Sequence, residues 1–174
     1  MKRLAPLLLV GALACGAGDA PLRAPQVGQP LPDLTFATLA GGDSLSLGEL
    51  DGRPVLLNLW ATWCPPCRAE IPFLQTLHEE YGERGLRVVG VSADNAGALD
   101  QVEEFLAEAG VTYENALDPR GRAMDAFRLL GLPATYLLDA EGRVALVRAG
   151  PVSETDRSFM ETLERLVAAG EGGA

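Results

Sequence analysis

The chain has 174 residues, 48% of them hydrophobic, and a formal net charge of −10. That length suits one domain plus a leader, and the composition excludes a disordered, collagen-like or disulfide-dense chain. The acidic balance excludes a basic nucleic-acid-binding face and reads as a solvated surface that keeps the protein soluble. Lys2 is the only lysine and His78 the only histidine. The folded body therefore offers no amine for Schiff-base or general-base work, and histidine chemistry has one candidate.

Residues 1–14 read as an export signal. Lys2 and Arg3 supply the positive start, and Leu4 to Leu13 form an apolar run broken only by Pro6 and Gly11. A membrane span needs about 20 such residues, so the run is too short to serve as one. Gly11-Ala12-Leu13-Ala14-Cys15 resembles a bacterial lipobox, in which the cysteine is lipidated and becomes the new N-terminus. Ala12-Leu13-Ala14 also fits ordinary small-x-small cleavage, so both readings of Cys15 stand. Residues 15–32, rich in Gly, Ala and Pro, read as a flexible tether. The expected layout is a domain over residues 33–169 with a short tail over 170–174, held outside the cytoplasm and tethered to a membrane if Cys15 carries lipid. In that compartment disulfides persist.

Leu34 to Leu39 predicts a short strand, followed by a turn at Gly41-Gly42 and a single helical turn over Ser46 to Leu50. Val55 to Trp60 is a compact apolar run, the mark of a buried strand. A helix is predicted over Pro66 to Tyr81 and another buried strand over Leu86 to Val91. Asp94 or Asn95 caps a helix from Ala98 to Ala109, closed by Gly110. Val111 to Ala116 is a weak strand and Arg122 to Leu130 a helix. Thr135 to Leu138 and Val144 to Arg148, joined by a turn at Asp139 to Gly142, predict a hairpin. Ser153 with Asp156 forms a capping box for a last helix to Ala168. The order asks for an α/β fold: a mostly parallel central sheet with one antiparallel region and helices on both faces.

Trp63-Cys64-Pro65-Pro66-Cys67 stands between a predicted buried strand and a predicted helix. Two intervening residues at a helix start let two sulfurs close a small ring. At that position free N–H groups and the helix dipole favour a Cys64 thiolate. The thiolate attacks a partner disulfide and forms a mixed disulfide. Cys67, one turn inside and more covered, then attacks Cys64 and releases the partner. Pro65 and Pro66 carry no N–H, so Cys64 is expected to be a less acidic thiol than in centres with donor-bearing spacers. One cysteine pair supplies only two metal ligands and His78 cannot complete a site, so no metal is expected. The redox-active disulfide is the only cofactor expected. A static disulfide rarely takes this spacing.

The run Asn58-Leu59-Trp60-Ala61-Thr62-Trp63-Cys64-Pro65-Pro66-Cys67 is similar to the strand-plus-active-site segment of the thioredoxin superfamily, and within it of the TlpA/ResA-like exported thiol–disulfide oxidoreductases. Pro72 matches that family's helix-kinking proline. Gly131-Leu132-Pro133-Ala134-Thr135-Tyr136-Leu137-Leu138-Asp139 resembles its cis-proline strand. The resemblance spans about Val27 to Leu166. It implies a thioredoxin fold, with a central mixed sheet flanked by helices, an N-terminal extension and an extra helix-bearing insert from Ala93 to Leu130. It also implies a cis Pro133 that keeps metal off the thiols, and a Leu132 whose main chain pairs with an incoming extended peptide. Trp63 and Pro65 belong to the same contact surface.

Two departures from the thioredoxin pattern bear on mechanism. Many thioredoxins carry a buried aspartate where this chain has Asn58, and a lysine where it has Gly90. Asparagine exchanges no proton at working pH, so the usual base for Cys67 is absent. Glu70 is three residues past Cys67, on the same helix face, and matches an active-site glutamate of ResA-like members. Replacement base and ordinary exposed first-turn glutamate are both open readings. Trp60 reads as core and His78 as a surface helix residue. Arg68 is either a contact to the thiolate or partner, or a solvated cation.

The resemblance implies reduction of client protein disulfides outside the cytoplasm, as in cytochrome c maturation or metal-site assembly, with recharging by a membrane electron donor. The chain is expected to act as a monomer with no nucleic-acid partner. The alternative is a disulfide-forming oxidant. A peroxidase reading is disfavoured, because its motif places a threonine three residues before the cysteine, where Ala61 stands. A non-catalytic binder would keep its function without Cys64.

Overall fold

The structure, a computed structural model, describes residues 24–39, 41 and 43–172. The leader, Cys15 and Gly42 of the expected turn lie outside the described residues.

Strand β3 (Val55–Trp60) lies where the sequence places it and is buried throughout. Its neighbours are β4 (Arg87–Ser92), parallel, and β6 (Ala134–Leu138), antiparallel. With β1 (Thr35–Thr38), β2 (Ser44–Ser46), β5 (Glu114–Leu117) and β7 (Val144–Ala149) the sheet runs β2-β1-β5-β4-β3-β6-β7. A mostly parallel sheet was expected, but only the β3–β4 and β4–β5 pairings are parallel. One cause is β2, a strand the sequence pattern hides, which folds back on β1 ahead of a short 3-10 turn, Leu47–Glu49. The other is helix α3 (Arg122–Ala126). Parallel neighbours are usually joined through a long crossover helix; this connection carries five helical residues, and β6 runs against β3.

The period-two alternation of β3 divides the core. Val55, Leu57 and Leu59 pack with Phe36, Phe127 and Tyr136 on one face. On the other, Leu56 meets Leu74 and Leu77 of α1 (Pro65–Tyr81) and Phe159 and Leu163 of α4 (Arg157–Glu171). Trp60 joins Cys67 and Ile71 of α1 and Val102 and Leu106 of α2 (Leu99–Glu108). Asn58, the one polar residue of β3, points to the same side as Leu56 and Trp60, beneath the start of α1.

Several boundaries differ from the expected ones for local reasons. Helix α1 begins at Pro65, a residue whose fixed φ suits a first helical position. Between Asp94 and Asn95, the cap is Asn95: its side chain accepts from Gly97 N at 2.9 Å, opening a 3-10 turn before α2. Val111 closes the end of α2 onto Leu106 O, and Thr112 N donates to Gln75 Oε1, which delays β5 to Glu114. Helix α3 stops at Ala126 rather than Leu130, because Arg128 takes a left-handed φ of 54° and Leu129 N closes onto Met124 O. Asp156 is itself the cap of α4, accepting from Phe159 N at 3.0 Å and pairing with Arg148 at 2.7 Å, and the helix runs on to Glu171. Of the stretch read as a tether, the described end lies against β7. Gly28 N donates to Val144 O, Val144 N donates to Gln29 O, and Leu31 is buried.

Candidate active site

Strand register sets a row of positions across the sheet under the start of α1. Asn115 of β5 pairs with Gly90 of β4, Gly90 with Asn58 of β3, and Asn58 with Thr135 of β6. Asn58 Nδ2 donates to Thr135 Oγ1 at 3.0 Å and to Glu70 Oε1 at 2.8 Å. Trp60 Nε1 donates to Asn115 Oδ1 at 3.1 Å, over the space that Gly90 leaves. A Cβ on Gly90 would stand 2.1 Å from Asn115 Oδ1 and 3.0 Å from Trp60 Nε1, so a side chain here fits only if Asn115 gives way. Gly90→Ala is expected to break the Trp60–Asn115 bond and cost about 1–3 kcal/mol through overpacking. A fall in Tm with unchanged cysteine pairing is the readout.

The chain leaves β3 through a tight loop, in which Cys64 N donates to Ala61 O, and enters α1 with Cys64 as its N-cap. Cys64 and Cys67 form a disulfide with Cα atoms 5.3 Å apart. Cys64 is 5% exposed and Cys67 0%, so both are buried and what solvent access the pair has lies at Cys64. The one helix N–H that reaches Cys64 Sγ is that of Cys67, at 3.3 Å. The two positions between are proline and donate nothing.

Glu70 is not the exposed first-turn residue that the sequence left open: it is 2% exposed. One turn past Cys67 on the inner face of α1, it accepts from Asn58 Nδ2 and, through Oε2, from Val152 N at 2.9 Å. Burial pushes its carboxyl up from the ordinary 4.5 to about 7, against the opposing pull of those two donors. Beside the cysteines, the Leu132–Pro133 peptide bond is cis, and Leu132 packs against the cluster that holds both sulfurs. Trp63 is 64% exposed, and Pro65 is exposed too. Arg68 lies 4.9 Å over the Phe105 ring, joining α1 to α2. Between them runs a groove of about 410 Å³, with Thr62 and Trp63 on one side and Glu104 and Glu108 on the other. Trp60 is core, as expected. His78 is half-buried against Tyr113, far along α1 from the disulfide. No three His, Cys, Asp or Glu side chains among the described residues are grouped to hold a metal ion.

Two residues of the site have no signature in the sequence. Asn115 is found only through register with Gly90. Asp94, read as a possible helix cap, instead turns back to Thr62 in the active-site loop. It lies two residues past β4, which pairs with β3, the strand that leads to the cysteines.

Comparison with known proteins decides the relationship. The profile of the Redoxin family matches residues 26–163. The chain belongs to the Redoxin family. It is 32% identical over 131 residues to the thiol-disulfide oxidoreductase ResA of Oceanobacillus iheyensis, covering 74% of this chain and 67% of that one. To the thioredoxin-like protein YneN of Bacillus subtilis it is 36% identical over 132 residues, covering 75% and 76%. Among solved structures, a DsbE-type thiol:disulfide interchange protein from Chlorobium tepidum superposes with a TM-score of 0.74 at 26% identity, over 83% of this chain and 99% of that one. This Redoxin-family chain is a thiol–disulfide oxidoreductase of the ResA/DsbE type, and the Cys64–Cys67 pair is its dithiol centre.

Proposed function

We propose that the protein reduces disulfides of client proteins outside the cytoplasm. The observation that carries this direction is the single helix donor at Cys64 Sγ. A pair becomes oxidising when its reduced form is stabilised as thiolate. With Pro65 and Pro66 silent, this helix start stabilises the Cys64 thiolate weakly, which favours the disulfide and makes the dithiol a donor of electrons. Equilibration with dithiothreitol or glutathione is expected to place the potential nearer thioredoxin's value of about −270 mV than the value of about −120 mV typical of a strong oxidant. A value at the oxidising end would support the disulfide-forming alternative.

In the reductive cycle the Cys64 thiolate attacks a client disulfide, and one client sulfur leaves as thiolate. Cys67 then attacks Cys64, the bond from Cys64 to the client breaks, and the second client thiolate departs. Cys67 must lose its proton in that step, and Glu70 takes it. A carboxyl raised to about 7 matches that exchange near neutral pH. Exposed Trp63, Pro65 and the main chain of Leu132 receive the client, and Pro133 keeps metal off the dithiol. The oxidised pair is recharged by a membrane electron donor of the dithiol class.

Export is supported by the leader sequence and by likeness to a solved structure described as a secreted thiol-disulfide isomerase from Corynebacterium glutamicum, 28% identical with a TM-score of 0.69 over 79% of this chain and 85% of that one. No helix among the described residues is long and apolar enough to cross a membrane. Lipid on Cys15 would supply the tether, with the domain acting as a monomer. Cytochrome c maturation or metal-site assembly is the class of task proposed. Isolating the mixed disulfide of a Cys67→Ser variant from cells identifies the client.

A further inference from the structure

Asp94, two residues past β4, is 1% exposed, and both of its oxygens are engaged. Oδ2 accepts from Thr62 N at 2.9 Å and from Ser92 Oγ at 2.7 Å, and Oδ1 accepts from Thr62 Oγ1 at 2.6 Å. Asp94 N in turn donates to Ser92 Oγ at 3.1 Å. The neighbouring Ala93 N donates to Trp60 O, tying the same corner to the end of β3. Every partner is neutral: no basic nitrogen among the described residues lies within 4 Å of this carboxylate. A buried charge is costly without such donors. Here two of them come from Thr62, two residues before Cys64.

We infer that Asp94 is a positioning residue that also sets the acidity of Cys64. Its two bonds to Thr62 fix the loop that presents Cys64 at the head of α1, and its uncompensated charge opposes formation of the Cys64 thiolate. Two residues span at most about 7 Å, so with one hydrogen bond added the charge stands no more than about 10 Å from Cys64. At that range a unit charge in a protein environment of effective dielectric about 20 changes a thiol's ionisation roughly tenfold. Other charges around Cys64 are Arg68 and Glu70 on α1 and Glu104 and Glu108 across the groove on α2; Asp118 donates its N–H to Ser92 O. They are common to the parent and to the variants below, so they cancel in the comparison.

The inference deepens the reductant reading: a carboxylate that disfavours the thiolate destabilises the dithiol and makes it the better electron donor. The test is the pH dependence of Cys64 alkylation by iodoacetamide in the reduced full-length protein, beside the potential of the pair as a function of pH. Asp94→Asn keeps an acceptor for Thr62 N and removes the charge. It is expected to lower the midpoint by about one pH unit, the tenfold effect above. Its potential should match the parent in acid and become progressively less negative once pH passes the Cys64 midpoint. Thr62→Val removes one hydrogen bond but keeps the charge, and should leave the midpoint in place. Should Asp94→Asn fail to fold, Asp94→Ser, uncharged and still an acceptor, carries the same measurement. An unmoved midpoint in the uncharged variant, or an equal shift in Thr62→Val, overturns the inference. A parent potential in the oxidising range would instead sink the reductant reading and leave the Asp94 shift standing.

Discussion

Cys67→Ser is expected to turn the enzyme from a turnover catalyst into a trap. Cys64 still attacks, because its position at the head of α1 and its one donor do not depend on the Cys67 side chain: that donor is the Cys67 backbone N–H. Release fails, because the sulfur that closes on Cys64 is gone. An intramolecular attack of this kind has an effective molarity of about 10⁵ M or more. An external thiol at millimolar concentration cannot replace it, so steady-state reduction of a protein disulfide should fall at least ~10³-fold. Non-reducing electrophoresis should show a one-to-one client adduct that dithiothreitol dissolves. Cys64→Ser should show neither turnover nor adduct. Turnover by Cys67→Ser at the parent rate would refute the two-cysteine cycle, and full function of Cys64→Ser would support a non-catalytic binder instead. Peroxide consumption by the parent in a coupled assay would revive the peroxidase reading that Ala61 argues against.

What was legible in the sequence was local. The apolar run of β3, the prolines at a helix start and the two-residue cysteine spacing all act within a few residues, so the strand–loop–helix unit emerged with its ends nearly right. What stayed hidden depends on partners far along the chain. Asn58 and Thr135 are 77 residues apart and Glu70 and Val152 are 82 apart, and no periodicity encodes such pairings. The status of Glu70 illustrates this. Helix spacing placed it on the face of Cys67, yet burial was undecidable until β3 presented Asn58, and not an aliphatic side chain, beneath it. Strand direction failed for a related reason. Helix α3 stops at Ala126, just before a left-handed Arg128 that no glycine announces, so the short helix in the β5–β6 connection and the antiparallel course of β6 were not legible. Asp94 was read by its local capping chemistry, whereas its partner Thr62 lies 32 residues earlier.

Glu70→Gln is expected to change two measurements that report on different properties of the same carboxyl. The first is stability. Glu70 holds its proton in the folded state up to about pH 7, whereas its ordinary value is 4.5. Between those values the folded protein binds a proton that the unfolded chain has released. Stability therefore declines as pH rises from about 4.5 to 7, and the loss is complete above the folded value. At about 1.4 kcal/mol per pH unit this amounts to roughly 3 kcal/mol. Glutamine does not titrate, so the variant should unfold with a flatter pH profile, seen as a urea midpoint that no longer falls between about pH 4.5 and 7. The second measurement is release of client from the mixed disulfide. In the parent the rate of attack by Cys67 should rise through neutrality as Glu70 becomes free to accept the thiol proton. In the variant that rise should vanish, leaving the later rise that belongs to Cys67 itself. A flattened stability profile with an unchanged rate profile would make Glu70 a buried structural acid and remove it from the proton path. An unchanged stability profile would contradict its burial beneath α1. Only the loss of both features places the proton of Cys67 on Glu70, the role that Asn58, lacking a titratable group, leaves to its neighbour.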